Sequence, residues 1–339
     1  MALFSRRPKP APDQPPAGEP AEPVEPDPVE SGDAASLAET DAAASVSVSV
    51  SSFQGLGAQG APARPSAPPK PPAAEDAPPA TETVPGLRDN VLVREALAAL
   101  PESPSAQDLI EVARQLLQGH LFLRVRGDVR TLLAEGKELP LAMATVGDRR
   151  FALAYSGGAA LQDSVRADGD ADTSAMGQPV LVVIKHVLVG SHDGLIIDHA
   201  SERARAVLPR ALLEKMVEKH DPSLTIKTLL AGERTAATAP AVAEALATAP
   251  LWLAVGQATD GRPGIAEARA VDGARYLEVF SHPLEVLATG RGDQPAPVTG
   301  AQLAKALRDE GLAGVMVDPR GPWVRLTKAD LGPVLALAD

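Results

Sequence analysis

The chain contains no cysteine. Disulfides, thiolate nucleophiles, cysteine-type zinc sites and iron–sulfur clusters are therefore excluded. That absence suits the cytosol, where disulfides are rare. Clusters of basic residues are missing too, and the net charge is −12. A nucleic-acid surface needs lysine and arginine grouped against phosphates, and an anionic membrane surface has the same requirement. Long apolar runs are also absent. The longest, 179–190, is interrupted by Lys185 and His186 and is too short to span a bilayer. Met1-Ala2-Leu3-Phe4-Ser5-Arg6-Arg7-Pro8 lacks the apolar stretch of a secretory or twin-arginine signal. No arrangement of serine, histidine and acid suggests a nucleophile. We expect a soluble, cytoplasmic chain with no membrane insertion, no nucleic-acid partner, no cofactor and no catalytic residue. Abundant alanine, and arginine in excess of lysine, are the habit of a GC-rich bacterial genome.

Residues 1–86 hold 18 of the 33 prolines, with 12 acidic and 5 basic side chains. Such a segment has too little apolar surface to offset its conformational entropy, and its composition predicts a long disordered tail. Within it, Ser45-Val46-Ser47-Val48-Ser49-Val50-Ser51-Ser52-Phe53 alternates with period two. This pattern would put Val46, Val48 and Val50 on one face of a strand. Together with Phe53 they are the candidate docking segment, able to add a strand to a sheet edge of a partner. The competing reading is low-complexity drift within a linker.

The rest of the chain is written twice. Leu121-Phe122-Leu123-Arg124-Val125 parallels Leu251-Trp252-Leu253-Ala254-Val255. Phe151-Ala152-Leu153-Ala154-Tyr155-Ser156 parallels Tyr276-Leu277-Glu278-Val279-Phe280-Ser281. Gly194-Leu195-Ile196-Ile197-Asp198 parallels Gly314-Val315-Met316-Val317-Asp318. The offsets are 130, 125 and 120 residues, shrinking because the first copy has longer loops. Three strand-like blocks in one order argue for two copies of one unit.

Local signals fill in each copy. Ser105 caps a helix whose apolar residues include Leu109, Ile110, Ala113, Leu116 and Leu117. Gly147-Asp148 marks a hairpin between 141–145 and 151–155. Residues 180–189 fit either a buried strand or a helix. A closing helix is expected over 210–220, and another over 299–310 with Gly311 as its stop. The predicted fold class is α+β: two tandem copies of a small mixed-sheet α/β unit, over 87–222 and 223–339, preceded by the disordered tail 1–86.

The third block of each copy carries a family resemblance. Gly314-Val315-Met316-Val317-Asp318-Pro319, followed by Trp323-Val324-Arg325-Leu326-Thr327-Lys328, resembles the SseB family of enhanced serine sensitivity proteins. The first copy shows the pattern as Gly194-Leu195-Ile196-Ile197-Asp198-His199 through Ala206-Val207-Leu208-Pro209. Asp198 and Asp318 stand where that family commonly has Asn, and His199 stands where it has Pro. Either Asn or Asp could close the strand through an Asx-turn. The resemblance implies a cytoplasmic α/β module without an established activity, linked in some bacteria to secretion systems.

Other clusters receive structural readings. His192, Asp193, Asp198 and His199 are the densest set of potential metal ligands, but their spacing fits no ligand rule and the second copy has no matching histidines. We expect a solvated loop and no metal. Asp168, Asp170 and Asp172 lack the glycine and closing glutamate of a calcium loop. Ser156-Gly157-Gly158 could cradle a phosphate at a helix N-terminus, but a strand-to-helix cap explains it better. Arg291-Gly292-Asp293 is read as coincidence, and Trp252 and Trp323 as core residues. The expected function is a protein-interaction or regulatory module whose partner the sequence does not name. The rivals are a small-molecule sensor with a ligand between the two copies and a metal-dependent enzyme.

Overall fold

The computed structural model describes residues 74–257, 263–308 and 311–338. The first repeat comprises α1 (Val91–Ala98), α2 (Ala106–Leu116), β1 (His120–Arg126), α3 (Val129–Ala134), β2 (Met143–Val146), β3 (Arg149–Ala154), α4 (Gly158–Asp168), β4 (Thr173–Pro179), α5 (Val180–Val189), β5 (Gly194–Ile197), β6 (Ala206–Pro209) and α6 (Arg210–Glu218). The second comprises α7 (Thr225–Ala231), α8 (Thr238–Thr248), β7 (Leu251–Gln257), β8 (Pro263–Ile265), β9 (Glu267–Arg269), β10 (Arg275–Val279), α9 (Pro283–Ala288), β11 (Gln294–Val298), α10 (Gly300–Ala306), β12 (Leu312–Val317), β13 (Val324–Thr327) and α11 (Gly332–Leu335).

Each repeat builds the same mixed four-stranded sheet, in order β2-β3-β5-β6 and β9-β10-β12-β13. In both, the central pair is parallel and the outer pairs antiparallel. A second small sheet accompanies each, β1-β4 in the first repeat and β11-β7-β8 in the second. One reciprocal pair of backbone bonds joins the two sheets in each repeat. Phe122 and Tyr155 exchange bonds of 2.8 and 2.9 Å, and Trp252 and Phe280 exchange bonds of 2.9 Å. The fold class read from the sequence is thus the observed one, and the paired blocks mark equivalent strands.

The glycine that opens each third block has a steric reason. A Cβ on Gly314 would lie 1.9 Å from the Leu326 carbonyl oxygen, and one on Gly194 would lie 2.3 Å from that of Leu208. The neighbouring antiparallel strand approaches too closely for any side chain at that point.

Three elements differ from the sequence reading, and one that it left open is decided. Residues 180–189 are a helix. Val180, Leu181, Val183, Ile184 and Val187 face the core, while Val182, Lys185, His186 and Val189 form an exposed stripe. The loop expected over 168–174 is shorter, because α4 ends at Gly169 in the left-handed conformation and β4 starts at Thr173. The strand expected over 265–270 is divided between two sheets as β8 and β9. No strand was expected at β11, which contains Pro295 and Pro297. It pairs only with β7, and proline is tolerated on such an edge, where no second ladder needs its amide.

The repeats share core. Leu284 and Ala288 of α9, in the second repeat, are buried in the apolar cluster built by α1, α2, α5 and α6 of the first. Residues 74–90 form an extended strap that touches both repeats. Residues 74–86 of it, assigned to the tail on composition, are held by specific hydrogen bonds described below. Residues 1–73 lie outside the described residues, and so do the docking candidates Val46, Val48, Val50 and Phe53.

Candidate functional site

Both repeats carry the same buried polar clamp. Asp198, at the end of β5, accepts a 2.8 Å hydrogen bond from the Ser156 amide and a second from the Ser156 hydroxyl. Asp318, at the end of β12, accepts 2.8 and 2.5 Å bonds from the amide and hydroxyl of Ser281. Both aspartates hold positive φ, 54° and 50°, a conformation that Asp and Asn tolerate better than most residues. The expected Asx-turn is not what forms. The side chain reaches across to the neighbouring parallel strand, and it is the main-chain oxygen that accepts the turn bond, from Ser201 or Gly321. Burial pushes each carboxyl up to about 6, against the pull of its serine bonds. The four residues stand at the ends of the repeated blocks in the sequence, but only the fold brings each serine to its aspartate.

At the junction of the repeats, α2 lies against α9, and a group of charges is buried between them. Glu285 of α9 is fully buried and is paired with Lys227 of α7 and, at 3.4 Å, with Arg114 of α2. Burial pushes the Glu285 carboxyl up, but Lys227 and Arg114 outweigh it and hold it below its ordinary value. Arg114 also donates to the main-chain oxygens of Gly321, at 2.6 Å, and Arg320, at 3.0 Å. His282 caps α9, accepting from the Leu284 amide at 3.1 Å on one ring nitrogen, while the other lies 3.1 Å from the Met216 carbonyl. Burial lowers this imidazole to about 4, which keeps it neutral. Sequence reading missed this group, since a charged residue on a short helix ordinarily faces water.

The strap ties the root of the tail to both repeats. Its Asp89 carboxylate sits at the N-terminus of α4 and accepts from the Gly158 amide, 3.1 Å, Thr81, 2.7 Å, Thr83, 2.8 and 3.0 Å, and Arg94, 2.7 Å. Burial works against the charged form, and these donors outweigh it, so the carboxyl is lowered. An internal carboxylate therefore occupies the place where a phosphate was considered, and Ser156-Gly157-Gly158 is a strand-to-helix turn. At its other end the strap meets the second repeat. The Trp323 amide donates to Glu75 oxygen at 3.0 Å, and Arg234 donates to Asp76, 3.2 Å, and to the Glu75 and Trp323 carbonyls, 3.0 Å each. Beneath Pro78 and Pro79 lies a cleft of about 800 Å³, walled by the start of α1, Gln118 to His120, and the end of α7.

The remaining candidates separate. His192 and Asp193 precede β5, whereas Asp198 and His199 follow it, about 13 Å away along the strand. Asp193 accepts from the Arg150 amide at 2.7 Å. Among the described residues no three His, Cys, Asp or Glu side chains group to hold a metal. Asp168 is held below its ordinary value first by its bonds with Arg124, at 2.6 and 3.0 Å, and Asp170 bonds Arg126 at 3.1 Å. The aspartate run is thus one side of an arginine clamp. Arg291 and Asp293 bond each other at 2.7 Å, and Arg291 also grips Glu278. Trp252 is buried with Phe280 and Val286, while Trp323 is half-buried where the strap meets β13. No helix among the described residues is long and apolar enough to cross a membrane.

Comparison with curated proteins and with solved structures gives no match. Comparison with protein families gives one, over residues 226–331, to the family described as SseB protein N-terminal domain. The first repeat shares the strand order of that region but lies outside the match. The second repeat, whose α9 completes the core of the first, is thus the part of the chain that matches the SseB protein N-terminal domain.

Proposed function

We propose that the chain is a non-enzymatic protein-interaction or regulatory module in which the N-terminal segment is a docking arm for a protein partner, with a component of a secretion system as one candidate. The observation that supports this reading is the strap. Asp89 fastens it to the first repeat, and Glu75 and Asp76 fasten it to the second. An arm rooted across the junction brings whatever it binds to both repeats at once, and raises the local concentration of a second contact there. The test is affinity capture with the wild-type chain and with a full-length variant whose residues 1–73 are scrambled at constant composition. Partners recovered only by the wild type support the arm. Equal recovery by both removes it.

A second reading has its own observation. The 800 Å³ cleft under the strap is large enough for a small ligand. In this reading the protein is a sensor, and the ligand is held between the strap and α7. A metabolite panel screened by thermal shift, with Arg88→Ala as the control, separates the two. A ligand that stabilises the wild type but not the variant favours the sensor.

A further inference from the structure

The two repeats share a fold but not the chemistry on one face of their sheets. Arg124, Tyr155 and His199 of the first repeat stand where the second has Ala254, Phe280 and Pro319. The second repeat builds the same strand order with those apolar residues, so the fold itself does not call for the polar ones. Beside them the first repeat leaves a cavity of about 370 Å³, bounded by β2, the end of α4 and His199. Its floor is Leu153 with Ala142 and Ala144, which belong to the apolar cluster that includes Leu161 of α4. The floor position of the second repeat is Glu278, and Arg291 grips it with a 3.0 Å bond, so an ion pair covers the sheet there.

Four charged side chains line the cavity, Arg124, Arg126, Asp168 and Asp170, and their charges cancel. A guest with a net charge would give up hydration there and meet no net counter-charge. Arg124 has all three nitrogens engaged. Nε donates to Thr173 at 3.2 Å, Nη1 to Ser164 at 3.0 Å and to Asp168, and Nη2 to Asp168 and, at 3.1 Å, to the Asp170 carbonyl. Other groups keep bonding capacity. The His199 ring lies edge-on to Tyr155, 5.9 Å between centroids, and its buried Nδ1 has no hydrogen-bond partner among the described residues. Burial, and then Arg124, lower the His199 pKa, which keeps the imidazole neutral near pH 7. Arg126 uses only Nε, on Asp170, and the Asp168 carboxylate is half exposed, with lone pairs left over.

We propose that this cavity binds an uncharged, polyhydroxylated molecule of monosaccharide size. Its C–H face rests on Leu153, Ala142 and Ala144, and its hydroxyls meet Asp168, Arg126 and His199. A hydroxyl both donates and accepts, which suits a wall that offers a carboxylate, a guanidinium and a neutral imidazole. An apolar floor with a few convergent polar groups is the usual make-up of a small-molecule site, and the volume stands near the lower end of the ~300–1,000 Å³ such sites span. The cavity is separate from the docking arm and from the cleft under the strap, so its failure leaves both of those readings standing.

NMR titration of the isotope-labelled full-length chain tests this directly. The probes are D-glucose, D-galactose, D-mannose and myo-inositol, with maltose and lactose as a second arm. A saturable shift of the Leu153 and Ala144 amide signals by at least one of them, with a Kd of about 10 mM or tighter, supports the proposal. Binding of the first group alone marks a free sugar as the ligand, and binding of the disaccharides alone marks the end of a glycan. His199→Pro, which installs the residue the second repeat carries, and Arg126→Ala at the exposed rim should each weaken that binding about tenfold, the worth of one hydrogen bond. Three results overturn the proposal. They are no shift with any probe, wild-type binding in both variants, and tighter binding of glucose 6-phosphate or glucosamine than of glucose.

Discussion

Replacing Asp198 by Asn gives the sharpest test of how the clamps work. In the folded chain the Asp198 carboxyl is raised from 3.8 to about 6, first by burial. Below pH 3.8 it is protonated whether the chain is folded or not, and its burial costs nothing through ionisation. Between 3.8 and 6 the unfolded chain loses the proton while the folded chain keeps it. Above 6 the folded chain must carry a buried charge, and that stability is lost. The full difference is about 3 kcal/mol. Asn keeps an acceptor for the Ser156 amide and offers a donor to its hydroxyl, while nothing titrates. It also tolerates the positive φ of this position. The difference in unfolding free energy, Asp198→Asn minus wild type, should therefore rise by about 2.4 kcal/mol between pH 4 and pH 8. Urea unfolding of both chains across that range measures it. Taking the difference cancels other titrating groups, including Asp318, which is raised in the same direction by burial and by Glu285. Parallel curves would show that Asp198 carries no buried charge and that this account of the clamp is wrong.

Four further outcomes follow from the geometry. Glu285→Ala leaves Lys227 and Arg114 buried without their counter-charge and should cost about 3–5 kcal/mol in urea unfolding. Asp89→Ala should free the strap, costing about 2 kcal/mol and exposing residues 76–88 to limited proteolysis. The Asp89 carboxyl is lowered, so its contribution is present above 3.8 and lost as pH falls, the opposite of Asp198. Arg210 donates to the main-chain oxygens of Val187, Leu188, Gly190 and His192, at 2.6–3.3 Å, and its replacement by Ala should cost about 1–2 kcal/mol and speed exchange at the end of α5. Gly314→Ala should part β12 from β13 and cost about 3 kcal/mol in thermal unfolding.

Much of the architecture was legible before any coordinates. Strand blocks repeated at offsets of 130, 125 and 120 residues located equivalent strands, because a duplicated core keeps its apolar periodicity. Ser105 and Thr299 mark helix starts through local bonds alone, and both form capping boxes. The absence of cysteine rules out thiolate chemistry whatever the fold. These properties depend on composition or on neighbours a few residues apart.

What the tertiary structure decided involves residues far apart in the chain. Residues 180–189 are a helix because one face meets a core assembled from many other segments, and their composition alone suits either state. Pro295 and Pro297 lie in a strand because that strand happens to be an edge. Asp198 meets Ser156 only when parallel strands lie side by side, and Glu285 meets Arg114 across 171 residues of chain. Local patterning locates most of the strands and helices. The partners of a buried charge are chosen by packing, since desolvation makes an ionised group depend on whatever the fold brings within hydrogen-bonding reach.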